Sequence, residues 1–321
     1  KRKNLVALNK ELINKIITVT SKAAISCHKF VGKNDKKSAD KAATDTMRDE
    51  INKIELNGQV VIGEGELDEA PMLYIGEKLG SGGNIDIDIA VDPLEGTNFV
   101  AKNLPGALSV ISIAEKGNLF NAPETYMDKI AVSKKVPYDA TDLDFSLEKN
   151  IKNLADSLNK DITDITACLL DRPRHLEIIK KLKNMNVNMK LISDGDVSGA
   201  LMVTDDKYNV DIFLGIGGGP EGVLAASAID TYGCKFQGRF IFDNEKDIFR
   251  AKKMGIKDLE KKYDLKEIIK GDSIFCATGV TNGDLVKGIS VKDNKYITET
   301  LVTHKNSNMC KIVRRQDTIK T

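Results

Sequence analysis

The chain has no tryptophan and few aromatic residues of any kind, so it lacks the stacking platforms on which proteins lay unpaired bases. It also lacks an excess of charge of either sign. Its 48 Lys and Arg are matched by 47 Asp and Glu interleaved along the sequence, which leaves no broad basic field to hold nucleic acid or an anionic lipid surface. An anionic ligand must therefore be gripped locally. The five cysteines, Cys27, Cys168, Cys234, Cys276 and Cys310, are odd in number and far apart, without the paired spacing of a zinc site or a disulfide framework. They read as buried thiols of a reducing compartment. No apolar run approaches the ~20 residues that span a bilayer. The opening Lys1-Arg2-Lys3-Asn4 leads into an amphipathic pattern rather than a signal-peptide core, so the expected location is the cytoplasm, with neither membrane nor nucleic acid as partner. A nucleophile paired with a base is missing too: there is no G-x-S-x-G, and His28 and His304 stand isolated.

What is present alternates. Apolar residues from Leu5 to Val31 recur every three or four positions and predict a long amphipathic helix ended by Gly32; Ser38 is the expected cap of a second helix running to about Glu55. Strands are expected at Gln59 to Ile62, Ile85 to Val91, Ala107 to Ala114 and around Ile130 to Val132. The second half then alternates: helix from Leu147, strand Ile165 to Leu170, helix from His175, strand Asn188 to Ile192, helix Val197 to Val203, strand Val210 to Ile216 and helix from Val223. Ser273 to Ala277, Lys295 to Thr303 and Met309 to Val313 make the C-terminal end richer in strands. Such alternation predicts an α/β protein with helices packed on sheets. We expect two parts, 1–145 carrying a metal-binding catalytic subdomain and 146–321 a sugar-phosphate-binding one.

Carboxylates cluster where strands end. Asp92-Pro93-Leu94-Glu95-Gly96-Thr97 follows a strand, with proline and glycine expected to force a tight turn; the turn is either an ordinary solvated one or an oxygen-rich pocket for a hard cation such as Mg²⁺ or Mn²⁺. Thr97 stands where its hydroxyl could orient a water. Gly63-Glu64-Gly65-Glu66-Leu67-Asp68-Glu69 places four carboxylates in six residues, of which Glu64, the first after the strand, is the expected ligand. Gly217, Gly219 and Gly222 satisfy G-x-G-x-x-G and raise a dinucleotide-binding oxidoreductase as a rival, but Glu221 puts a negative charge where a pyrophosphate belongs. If Glu221 is a metal ligand, the same glycines leave room for a phosphate beside the cation. Arg172-Pro173-Arg174-His175 can grip a phosphate or merely start a surface helix, and Asp194-Gly195-Asp196 can accept from sugar hydroxyls or cap a helix.

These motifs, with Lys36 to Asp40, Asp68 to Lys78, Asn121-Ala122-Pro123 and Asp194 to Val197, together resemble the class II fructose-1,6-bisphosphatases of the lithium-sensitive sugar and inositol phosphatase superfamily. The resemblance runs along most of the chain. It implies a layered α-β-α-β-α sandwich and hydrolysis of fructose 1,6-bisphosphate to fructose 6-phosphate in gluconeogenesis, or a bifunctional enzyme that also takes sedoheptulose 1,7-bisphosphate. It implies two or more Mn²⁺ or Mg²⁺ ions held by Asp40, Glu64, Asp92, Glu95 and Glu221, and a water activated with Thr97. Lys36 and Asp68 complete the catalytic set, with Asp40 as the other candidate partner of Thr97. Substrate contacts are implied for Glu95, Gly96, Thr97, Tyr126, Arg172, Pro173, Arg174, Asp194, Gly195, Asp196 and Gly218. Arg172 stands where close relatives carry lysine. The family analogy also implies a homo-oligomer, dimer or tetramer.

Overall fold

A computed structural model describes residues 7–65 and 72–320. Helix α1 (Lys10–His28) starts at Asn9, whose side chain accepts the Leu12 N–H at 2.9 Å, and α2 (Lys36–Ile51) starts at Asp35, which accepts the Ser38 N–H at 3.0 Å. Asp35 is thus the cap, not Ser38. A carboxylate three residues ahead satisfies the orphan N–H and draws the helix start back to Lys36. There follow β1 (Asn57–Ile62), β2 (Lys78–Leu79), β3 (Asp86–Glu95), the short α3 (Thr97–Ala101) and β4 (Leu108–Glu115). Strands β1 and β3 run parallel, β3 and β4 antiparallel. Leu12, Ile16, Val19 and Ala23 of α1 form a continuous apolar stripe, buried with Ile89 and Val91 of β3 and Ile111 and Ile113 of β4. Each such fully buried aliphatic side chain contributes about 1.5–3 kcal/mol.

The chain then builds a second sheet: β5 (Tyr126–Val132), α4 (Leu147–Leu158), β6 (Thr166–Leu170), α5 (Leu176–Asn184), β7 (Asn188–Ile192), α6 (Asp196–Leu201), β8 (Ile212–Gly218), α7 (Gly219–Thr231), β9 (Lys235–Ile241), α8 (Glu245–Lys253), β10 (Lys262–Asp264) and α9 (Leu265–Ile268). Its order is β10-β9-β5-β8-β6-β7, with β6 parallel to both β7 and β8 and the other pairs antiparallel. Ala167 and Leu169 of β6 and Ile212 and Leu214 of β8 face Ile151 and Leu154 of α4 and Leu182 of α5. Phe213, of opposite parity, lies within 2.8 Å of where a β-carbon on Gly199 of α6 would stand. Helices therefore cover both faces of this sheet.

Strands β11 (Ser273–Gly279), β12 (Ser290–Lys292), β13 (Lys295–His304) and β14 (Met309–Thr318) return to the first sheet, whose order is β12-β13-β11-β4-β3-β1-β2 with β14 paired to β13. The molecule is a mixed α/β protein with two mixed sheets. It divides into Lys1–Phe120 with Ile269–Thr321, and Asn121–Ile268. A bridge between Leu119 and Ile269 fastens the two crossing points together. The expected division at residue 145 falls between β5 and α4, inside the second unit, and the C-terminal strands expected with the second half pair into the first sheet. Four of the cysteines are buried, and Cys310 on β14 is exposed.

Candidate functional site

In the first unit the chemistry gathers at the end of β3. The strand does not stop before Asp92 but runs on to Glu95, and its register against β4 slips there: Asp92 lies opposite Val110, Glu95 opposite Leu108. Three steps on β3 thus face two on β4, a one-residue bulge. Side chains alternate along a strand, so residues three apart ought to point to opposite faces; the extra residue cancels that, and Asp92 and Glu95 share one face. Pro93 sits inside the bulge, where its missing N–H breaks no ladder. Instead of a free turn, the motif is a buried, bulged strand end, with Asp92 and Glu95 both largely hidden.

Gly96 then turns the chain at φ +83°, and a β-carbon there would lie 2.5 Å from the Phe99 ring, so glycine is required. Thr97 is the first residue of α3 and half-buried. Leu94, Phe99 and Val100 pack with Ala39 and Ala43 of α2, while the loop before α2 is tied to α3 by Gly32 N–H to Val100 O at 2.8 Å and Asn34 N–H to Ala101 O at 2.9 Å. The first turns of α2 therefore lie beside α3. Lys36 and Asp40, four apart, share one face of that helix. Burial pushes the Asp40 carboxyl up, its Oδ1 is buried with no hydrogen-bond partner among the described residues, and its charge adds to the burial that pushes the nearby Cys27 thiol up to about 12.

Glu64 follows β1, its N–H bonded to Leu73 O at 2.9 Å. A β-carbon on Gly63 would stand 2.2 Å from that same carbonyl, so the approach of the two segments needs glycine. Asp68, with Glu66 and Glu69, lies outside the described residues.

In the second unit, the N-terminus of α7 begins at Gly219 rather than Val223, with Pro220 in its first turn, and so takes in Glu221. Burial pushes the Glu221 carboxyl up against the opposing charge of Lys129, and its Oε2 is buried without a hydrogen-bond partner. A β-carbon on Gly218 would lie 1.8 Å from Glu221 Oε2, and one on Gly217 would lie 1.8 Å from Asp196 Oδ2. The room that these glycines leave is thus filled by carboxylates of the chain itself, where the glycine run alone suggested space for a phosphate.

Asp196 turns inward: its Oδ2 accepts from Lys129 Nζ at 2.6 Å, and Lys129 also donates to Gly218 O at 2.7 Å. Tyr126, 46 % exposed and paired opposite Gly218, carries the Arg174 guanidinium over its ring at 4.8 Å, and Arg174 Nε donates to Ile216 O at 2.9 Å. Arg172 Nη1 bonds to the carbonyl of its neighbour Asp171, and Pro173 opens a 3-10 turn. Asp194 accepts the N–H of Gly195, which enters α6 at φ +91°.

Two residues of this unit escaped the sequence reading. Lys129 left only a weak trace, a lysine at an inward position beside the apolar Ile130-Ala131-Val132. His175 is a buried clasp: Nδ1 contacts Leu170 O at 2.6 Å and must donate, while Nε2 accepts the Ile216 N–H at 2.8 Å.

Among the described residues no three His, Cys, Asp or Glu side chains converge as a preformed metal cluster. The donors nonetheless suit a hard divalent cation. They are carboxylates only, and Asp40 Oδ1 and Glu221 Oε2 are buried oxygens that no donor among the described residues reaches. An anionic oxygen left so costs several kcal/mol unless a cation compensates it.

Known proteins resemble this chain along most of its length. The family model described as bacterial fructose-1,6-bisphosphatase, glpX-encoded, matches residues 10–317. The D-fructose 1,6-bisphosphatase class 2/sedoheptulose 1,7-bisphosphatase of Synechococcus sp. (strain JA-2-3B'a(2-13)) is 40% identical, over 95% of this chain and 94% of its own. The fructose-1,6-bisphosphatase class 2 of Haemophilus influenzae is also 40% identical, over 92% of each chain. Among solved structures an IMPase of Thermotoga maritima aligns at a TM-score of 0.33 with 14% identity, over 62% of this chain and 79% of its own.

Proposed function

We propose that this chain, which belongs to the family of glpX-encoded bacterial fructose-1,6-bisphosphatases, hydrolyses the 1-phosphate of fructose 1,6-bisphosphate to give fructose 6-phosphate and phosphate. It is a phosphoric monoester hydrolase. The observation that carries the reading is the bulge in β3, which turns Asp92 and Glu95 to one face directly before Thr97, within a family match that spans nearly the whole chain.

Asp40, Glu64, Asp92 and Glu95 in the first unit and Glu221 in the second are the proposed ligands of divalent cations, Mn²⁺ or Mg²⁺. When bound, such ions neutralise phosphate oxygens and make water a better nucleophile. The chain's own groups do the rest. Thr97, held at the start of α3 by the Gly96 turn, orients the attacking water with its hydroxyl. A threonine is no base, so a carboxylate, Asp68 or Asp40, takes the proton. Lys36, one turn before Asp40, offers a mobile cation to the phosphate being transferred. Arg174, braced on Tyr126 and on Ile216 O, offers its guanidinium to a phosphate of the substrate, and Arg172 can join it. Gly218, Asp194 and the Gly195 N-terminal to α6 complete the sugar contacts.

Relatives 40% identical to this chain are named for both fructose and sedoheptulose bisphosphates, which favours a second reading in which this chain accepts both. Location in the cytoplasm, a part in gluconeogenesis and a homo-oligomeric state belong to the same proposal. Among the described residues no helix is long and apolar enough to cross a membrane.

The deciding assay measures phosphate release from both bisphosphates with Mn²⁺ or Mg²⁺, with a chelator, and with Thr97→Ala. Turnover that needs the metal and is lost with Thr97→Ala is expected. Inactivity with every divalent cation, or full turnover in Thr97→Ala, would overturn the proposal.

A further inference from the structure

Lys129 is 1% exposed in the middle of β5, and it is the centre of a polar hub that joins three elements. Its ammonium bonds Asp196 Oδ2 of α6 at 2.6 Å and the carbonyl of Gly218, the cap residue of α7, at 2.7 Å. Glu221 Oε2 occupies the space beside that same Gly218, 1.8 Å from where a β-carbon would stand. Two carboxyl groups thus share one ammonium. Among the described residues, Asp196 Oδ1 and Glu221 Oε2 are both buried without a hydrogen-bond partner.

Stability alone gives no reason for a lysine here. A buried ion pair is commonly no more stable than apolar residues of the same shape, because desolvation offsets the attraction. The neighbouring β5 positions Met127 and Ile130 are apolar. What the lysine does that an apolar residue cannot is fix the Gly218 carbonyl, and through it the first turn of α7 on which Glu221 rides, while holding Asp196 away from Glu221.

We infer that Lys129 is a positioning residue for the reaction, which sets the orientation of Glu221 toward a divalent cation without touching substrate. This rests on Glu221 being a cation ligand. Supporting groups of this kind typically change metal affinity or activity by about 10- to 100-fold.

The test compares wild type, Lys129→Met and the double variant Lys129→Met/Asp196→Asn. Direct Mn²⁺ binding is followed by paramagnetic resonance of the unbound ion, turnover on fructose 1,6-bisphosphate by phosphate release, and melting temperature by calorimetry. Lys129→Met leaves the Asp196 carboxylate buried and uncompensated, so its melting temperature falls; the double variant removes that charge and recovers most of the loss, the part due to Gly218 O remaining. Mn²⁺ binding should be weakened at least tenfold in both, and in Lys129→Met the activity loss should lie in kcat with KM nearly unchanged. A double variant that recovers stability and binds Mn²⁺ as wild type does would overturn the inference, as would a loss confined to KM. If wild type binds Mn²⁺ but releases no phosphate, the proposed activity fails while weakened Mn²⁺ binding in the two variants still supports the role of Lys129.

Discussion

Gly218→Ala separates folding from chemistry. The residue has φ −62° and ψ 137°, which alanine adopts without strain, so the backbone has no objection to the change. By narrowing the unfolded ensemble it should stabilise by about 0.4–1 kcal/mol. The new methyl would, however, stand 1.8 Å from Glu221 Oε2. Carbon and oxygen do not approach within 3.0 Å, so the carboxylate must swing by more than ~1 Å, and a misplacement of that size in a catalytic group costs ~10²-fold in rate. Expected, then, are a melting temperature within about 3 °C of wild type and a kcat about 100-fold lower. The control is Glu221→Ala, in which the methyl meets no carboxylate; there Gly218→Ala should have no further effect on Mn²⁺ binding, a strongly non-additive pair. Turnover within about threefold of wild type, or an additive loss in the Glu221→Ala background, would refute the steric reasoning.

Two further outcomes are expected. His175→Ala removes the clasp between Leu170 O and Ile216 N–H, leaves both groups unpaired in the interior, and should lower unfolding stability by about 2–4 kcal/mol, read from the urea midpoint. Asp144 is held at about 2, below its ordinary 3.8, by Lys262 and Arg239. A carboxyl depressed in the folded state contributes stability above its unfolded value and loses it as pH falls through the folded one, so the loss lies between roughly pH 4 and pH 2. Asp144→Asn should flatten that limb by less than about 1 kcal/mol, because the group is half exposed and screened by solvent; an unchanged acid limb would rule the pairing out.

Much of the first unit could be read in the sequence because its signals are local. The apolar period of α1, the carboxylates after β1 and β3 and the glycine before Thr97 all declare themselves within a few residues. The bulge at Pro93 did not. It exists only relative to β4, and no window along β3 alone reveals which face Glu95 takes. The same holds for Asp35, which outcompeted Ser38 as cap by reaching forward one turn. In the second unit, β5 was recognised only at Ile130 to Val132 because Asp128 and Lys129 interrupt the apolar pattern. Their surroundings come from far along the chain: Lys129 pairs with Asp196, 67 residues on, and Asp128 faces Arg239 and His175. The glycines of the β8 to α7 junction suggest a cradle for a ligand, whereas in the structure Gly217 and Gly218 make room for Asp196 and Glu221, Gly219 for Phe240 and Gly222 for Met127. The grouping of β11 to β14 with the first half escaped for a related reason: strand pairing across a long insertion leaves no periodic mark.

That insertion shapes how the protein is made. Strand β4 takes its neighbour from β11, and the whole of Asn121–Ile268 is synthesised between them. At translation rates of about 5–20 residues per second, β4 stays an unzipped edge on the ribosome for roughly ten to thirty seconds while the second unit emerges complete and able to collapse on its own sheet. Long-range pairing of this kind is slow to nucleate, and an open apolar edge invites other chains. The nascent first unit is thus the protein's vulnerable stage. Truncation before Ser273 would leave it there, with β4 lacking the strand that covers its edge.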